Sequence, residues 1–375
     1  MNVRFLGSVL LLLATLILAG CGSDGNPVSP GPAADEYDAD VAIGWVQLTM
    51  DLVKAERLSP PVAARLYGYT TVTLYEAVVH GMPANRSLVG QLNDLSELPE
   101  FGNDRYHWPT VANAAVATIL RSLLANSTST TLNAISARED ANNADFAAET
   151  DEATHTRSVE RGKLVGLAIF GWALNDGYPT LNNCAWTAPT GAGIWAPTPP
   201  AFASALQPCW GNLRPFVLSN GAQCLPGPPP QYSEAIGSTF YSEMIEVYNT
   251  TKILTAEQQA VANFWADNPG ATMTPPGHSL SIAGQVLEQE GANLGQAAEC
   301  YARVGMAVAD AFIACWYTKY EYLLLRPITC IRELMDDEWT SPIATPPFPE
   351  YTSGHSVQSG AVAEVLTAMF GDDYA

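Results

Sequence analysis

Residues 300–325 read CYARVGMAVADAFIACWYTKYEYLLL, a run whose only charges are Arg303, Asp310, Lys319 and Glu321. A helix of this composition is apolar almost all round and needs cover on every side, so it is the expected centre of a helical body. Its charges leave no stretch near the ~20 apolar residues that a bilayer span requires. Working outward from it, helical spacing recurs over residues 40–58, 110–126, 130–149, 155–175 and 233–248. Ser59-Pro60-Pro61 reads as a serine cap with proline in the first turn, starting a helix that runs to about His80 before Gly81. Thr255-x-x-Gln258 is a capping box that opens another helix over 255–266. Strand-like runs are short and scattered. The expected fold class is mainly α, a helical bundle.

One segment breaks the pattern. Residues 177–232 hold eleven of the 27 prolines and three of the nine tryptophans. That composition excludes regular helix and is too aromatic for a plain linker, so an ordered loop wrapped on the bundle, a candidate lid, is expected. At the other end, 5–18 is apolar behind Arg4, and Leu18-Ala19-Gly20-Cys21 places a cysteine after small residues. This is the pattern of a lipoprotein signal over 1–20, with Cys21 as the lipidated residue. The apolar run is short for a membrane anchor. Residues 21–34 then read as a Ser/Gly/Pro-rich tether, and 35–375 as a single helical domain carrying the 177–232 insertion. Gly22 and Ser23, with no aspartate after the cysteine, point to an outer-membrane location in a cell that has one.

Nearly half the chain is apolar and only 15% is charged, which excludes disorder. A net charge of −21 argues against nucleic acid and anionic lipid surfaces as natural partners. An anion site in such a chain has to be built locally, against the overall field. Six cysteines follow Cys21, at 184, 209, 224, 300, 315 and 330, without a C-x-x-C pair or zinc-like spacing. A disulfide among Cys184, Cys209 and Cys224 is expected because they share one loop, whereas Cys315 reads as a buried thiol.

The chemistry is concentrated near the C-terminal side. Lys319 and Arg326 are seven residues apart, which at 3.6 residues per turn returns to nearly one helix face. Two cations on a greasy helix need anionic partners. Asp310, Asp336 and Asp337 are the ordinary candidates, and a bound anion is the other. Further on, Pro346-Pro347-Phe348-Pro349-Glu350-Tyr351 approaches Thr352-Ser353-Gly354-His355-Ser356, followed by a helical pattern to Phe370 and Gly371. A hydroxyl at Ser353, the amide of Gly354 and the positive end of a helix dipole make an anion cradle, with His355 in the first turn to move protons. Taken alone, the same stretch also reads as a plain serine cap beside an incidental histidine.

The combination K-x6-R-P followed by S-G-H resembles two of the three signature motifs of the vanadium haloperoxidase and type-2 phosphatidic acid phosphatase superfamily. Phe264-Trp265-Ala266-Asp267 and Thr274-Pro275-Pro276-Gly277-His278 resemble its exported bacterial haloperoxidase-like branch. The resemblance implies a bundle of the haloperoxidase and acid phosphatase type. It implies that Lys319, Arg326, Ser353 and Gly354 hold vanadate, or phosphate in its place, that His355 is the acid–base group, and that Phe348 lines the substrate pocket. The implied substrates are halide and peroxide. A phosphoester cleaved through a phosphohistidine is the second reading, and a non-catalytic oxoanion-binding lipoprotein the third. The third motif, S-R with a following G-x-H, has no counterpart after Gly371, so no residue matches the histidine that ligates vanadium. The expectation is a C-terminally incomplete copy of a longer protein. His80, His107 and His155 read as structural or surface residues, and His278 as the one other histidine that could approach the site.

The signal reading has a direct check. Mass spectrometry of the mature protein is expected to find a diacyl- or triacyl-cysteine at residue 21 as the N-terminus, and Cys21→Ser is expected to leave the membrane fraction. Retention of Met1 contradicts it.

Overall fold

The computed structural model describes residues 31–372 and 374, so the signal, Cys21 and most of the tether lie outside the described residues. The α-helices within it are α1 (Asp40–Ala55), α2 (Pro60–Val78), α3 (Trp108–Leu123), α4 (Ser129–Phe146), α5 (Glu152–Ala173), α6 (Tyr178–Leu181), α7 (Thr239–Lys252), α8 (Ala256–Trp265), α9 (Thr274–Glu290), α10 (Leu294–Tyr322), α11 (Pro327–Leu334) and α12 (Gly354–Phe370). Among the described residues there are isolated β-bridges but no strand, as the mainly-α expectation requires. No described helix is long and apolar enough to cross a membrane.

The apolar run that anchors the sequence reading becomes α10, the central helix. It packs along α2, whose residues from Leu66 to Val78 are all buried, and against α9 and α12. The two long helices approach closely at Gly305, where any Cβ would collide with Thr71 and the Tyr67 carbonyl. A second pair, α3 and α5, meets in the same way at Gly162, which sits against the Val111 carbonyl. α12 lays Val362 into the core and packs Val357, Val365, Leu366 and Met369 half-buried against it.

The Pro/Trp-rich segment is ordered and strapped to α10. Cys184 and Cys209 form a disulfide, while Cys300, Cys315 and Cys330 are buried thiols and Cys224 is an exposed one. Trp195 and Trp210 are fully buried. Asp310, on α10, receives the amides of Phe216, Val217 and Leu218 at 2.7, 2.8 and 2.9 Å. Burial pushes this carboxyl's pKa up, and the three amides pull it back. A buried carboxylate so saturated is a structural pin, and removing it would strand three amide donors. At the far end of α10 the amide of Trp195 donates to Leu323 O at 2.7 Å and that of Leu325 to Gly193 O at 3.0 Å. The loop therefore holds the chain immediately after α10 in place.

Several boundaries differ from the sequence reading. α10 begins at Leu294, where Asn293 and Gln296 form a capping box, and stops at Tyr322 because Leu323 turns left-handed at φ 50°. Arg326 lies beyond the helix, extended at ψ 148°, as the N-cap of α11. Pro327 enforces this by disfavouring the helical region in the residue before it. The expected shared helix face of Lys319 and Arg326 is therefore not present. α7 starts at Thr239, after Gly237 at φ 88° and a cap from Ser238, rather than at 233. α9 and the short α11 were not foreseen, although Thr274-Pro275-Pro276 repeats the start signal of α2. Ser59 does precede α2, but its hydroxyl donates to Gln207 Oε1 at 3.0 Å instead of capping.

Candidate functional site

The last turn of α10 carries Lys319 into the core, where it is 1% exposed. Its Nζ donates to the carbonyls of Pro349 and Glu350 at 2.9 and 3.0 Å. An ammonium has three donors, so one remains beyond these two. Burial, with repulsion from Arg326, pushes the Lys319 pKa down to about 8, while Cys315 and Glu350 oppose the shift. Arg326 comes to the same place from the N-terminus of α11. Its Nε donates to Phe348 O and its Nη1 to Glu350 Oε2, each at 2.6 Å. Nη2 is buried without a partner. Burial lowers the Arg326 pKa, and Glu350 raises it back. A guanidinium stays charged regardless.

Two cations thus converge on one irregular segment, 348–350, although they share no helix. None of the anticipated aspartates was seen to pair with them. Asp310 is spent on the 216–218 amides, and Asp336 meets Tyr248 and Lys252. The carboxylate that does pair with Arg326 is Glu350, whose side chain is about a third exposed. It stands within the quoted motif but had been given no role.

The segment then runs into α12. Ser353 is its N-cap and accepts the Ser356 amide at 3.2 Å, so the plain cap reading is correct as far as it goes. The hydroxyl proton remains free to donate. At Gly354 a Cβ would come no closer than 3.9 Å to Trp316 and 4.0 Å to Phe312. Packing therefore does not demand glycine here, and both neighbours are walls of the adjoining cavity. His355 follows, half-buried, with Nε2 buried and unpartnered.

One cavity of about 520 Å³ is lined by Lys319, Arg326, Phe348, Ser353, Gly354 and His355 together. Phe348 lies beneath both cations, 5.0 Å from Lys319 Nζ and 4.7 Å from Arg326 Cζ, and packs on Trp316 at 5.0 Å. Arg57 and Asp267, which sequence reasoning did not single out, also line it. His278 is absent from the lining. Its Nδ1 meets Asp267 Oδ2 at 3.1 Å and its ring stacks on Trp265, so it touches the site only through Asp267. His107 is buried against Thr110 and Glu149, and His80 stacks on Phe101, as structural histidines do.

A family model described as "VCPO second helical-bundle domain" matches residues 299–375, the part that contains Lys319, Arg326, Phe348, Ser353, Gly354 and His355. The crystal structure of the first bacterial vanadium-dependent iodoperoxidase superposes with a TM-score of 0.81 at 33% identity, covering 90% of this chain and 82% of that one. The chain belongs to the vanadium haloperoxidase family. Vanadium chloroperoxidase of Curvularia inaequalis is 26% identical over 203 residues, and this family member spans about a third of that relative's length. A bacterial vanadium-dependent chloroperoxidase in its apo form shares the fold, with a TM-score of 0.61 at 16% identity over 84% of this chain and 78% of that one.

The cavity suits a tetrahedral oxoanion on its own evidence. Its lining residues bring two buried cations, an unpartnered guanidinium nitrogen, a hydroxyl with a proton to donate and an uncrowded glycine amide. Among the described residues, no cluster of His, Cys, Asp or Glu suits a bare metal ion.

Lys319 supplies a pH test. Its folded pKa of about 8 lies below the ordinary 10.5, so between these values the unfolded chain binds more protons and stability rises with pH. The desolvation cost, about 3 kcal/mol, is fully present below pH 8 and is relieved as pH climbs toward 10.5. Lys319→Met lacks the titration. The melting-temperature difference between wild type and this variant is expected to move in favour of wild type from pH 8 to 10.5. A constant difference, or one moving the other way, contradicts a charged Lys319 under desolvation.

Proposed function

We propose that the cavity binds vanadate and that the protein is a haloperoxidase oxidising halide with peroxide. The observation that carries this reading is the convergence of Lys319 and Arg326, with its unpartnered Nη2, on the Ser353-Gly354-His355 turn in one cavity. Lys319 and Arg326 would balance the anion's charge. The Ser353 hydroxyl and the Gly354 amide, aided by the positive end of the α12 dipole, would donate to its oxygens. Vanadate, when bound, would supply the oxophilic centre that activates peroxide toward halide. His355 Nε2, buried and without a partner, would hold or deliver a proton at the cavity. Phe348 and Trp316 would keep the wall apolar, so that charges facing the cavity are weakly screened. A similarity to an iodoperoxidase at 33% identity supports halide oxidation over phosphoester cleavage. The lipobox at Cys21 supports export and anchoring to the outer membrane by lipid.

In the full-length protein, Arg326→Ala is expected to weaken vanadate binding about ten- to a hundredfold, the effect of losing about 1.5–3 kcal/mol from a charge-assisted contact. His355→Ala is expected to spare binding and to lower halogenation of monochlorodimedone by about 10²–10⁴. Calorimetry and the halogenation assay, run beside nitrophenyl phosphate hydrolysis, separate the outcomes. Unchanged vanadate affinity in Arg326→Ala overturns the cradle, and phosphatase turnover without halogenation overturns the choice of reaction.

A further inference from the structure

Arg326 is more than nine-tenths buried, yet its guanidinium is not wholly available to a ligand. Nε is committed to the Phe348 carbonyl and Nη1 to the Glu350 carboxylate. Nη2 is buried and without a partner, and one N–H of Nη1 also remains. Glu350 is tied down from its backbone as well, since its amide donates to Leu324 O at 3.0 Å and its carbonyl accepts from Lys319 Nζ. Glu350 and Arg326 both line the 520 Å³ cavity and a smaller one of about 200 Å³.

We infer that Glu350 is a specificity-determining residue of the anion site, selecting a singly charged tetrahedral oxoanion over a doubly charged one. This inference rests on the oxoanion reading above. An anion on Nη2 shares the same guanidinium with the Glu350 carboxylate, and two like charges that close repel in proportion to the anion's charge. Glu350 offsets part of the charge that Arg326 presents to a bound anion. Asp267, the other carboxylate of the cavity, is engaged with His278 and adds nothing to favour a dianion, while Arg57 is exposed. Glu350 therefore penalises a second negative charge on the bound anion more than the first. In a chain whose overall charge is −21, this carboxylate is a local feature of the cradle and not part of the diffuse acidic surface.

The test uses tetrahedral probes whose charge does not change with pH: perrhenate, a monoanion, and sulfate, a dianion. Their affinities are measured by calorimetry at pH 7 and fixed ionic strength in wild type, Glu350→Gln and Glu350→Ala, with circular dichroism as the check on folding. Wild type is expected to prefer perrhenate. Both variants are expected to shift the preference toward sulfate by at least tenfold, with Arg326→Ala abolishing the shift. Binding that depends on Arg326 but keeps the same perrhenate-to-sulfate ratio in both Glu350 variants overturns the role of Glu350 and leaves the cradle standing. Absence of Arg326-dependent binding by either probe in any folded variant overturns the cradle and this inference together.

Discussion

The site depends on the hold that three backbone carbonyls, those of Phe348, Pro349 and Glu350, have on two buried cations. Burying Lys319 and Arg326 in a protein interior is expensive, and neither would stay without acceptors. The irregular segment after Thr345 supplies them. In doing so it ties the end of α10, the start of α11 and the approach to α12 together at one point. The same contacts that make the cations tolerable leave one guanidinium nitrogen open, and that residual unsaturation is what a ligand can use.

Keeping the segment in place falls to the irregular loop. Leu206 donates its amide to Pro347 O at 2.8 Å and accepts, through its carbonyl, from Trp316 and Tyr320 of α10. Residues 193–195 pair with 323–325, and the Glu350 amide closes on Leu324. The prolines limit the conformations of this strap, and its buried tryptophans fasten it, so precision at the site comes from a region with almost no regular structure. Asp310 and the Cys184–Cys209 disulfide secure its remaining length.

Much of this was legible in the sequence. The all-round apolarity of the central run marked the buried helix, Thr255-x-x-Gln258 formed its capping box, and Phe348, Ser353, Gly354 and His355 occupy one cavity with the two cations. What was missed follows from chain geometry. Heptad-like spacing suggested a common face for Lys319 and Arg326, but Pro327 is the stronger signal, because it removes Arg326 from the helix. Glu350 was overlooked because a carboxylate beside an expected anion site is an unfavourable choice by local reasoning, and only the fold shows that it faces Arg326. Arg57 and Asp267 are brought to the cavity from distant parts of the chain, which no spacing rule can anticipate.

The central claim is that Lys319, Arg326 and the Ser353–His355 turn together form a receptor for a tetrahedral oxoanion. Anomalous diffraction from crystals of the protein soaked in perrhenate, a heavy, singly charged tetrahedral oxoanion, locates such an ion without reference to activity. The expected result is one strong site in the 520 Å³ cavity, with oxygens within hydrogen-bond distance of Arg326 Nη2 and the Gly354 amide. Perrhenate bound elsewhere, with Arg326 Nη2 still unpartnered, would contradict the account.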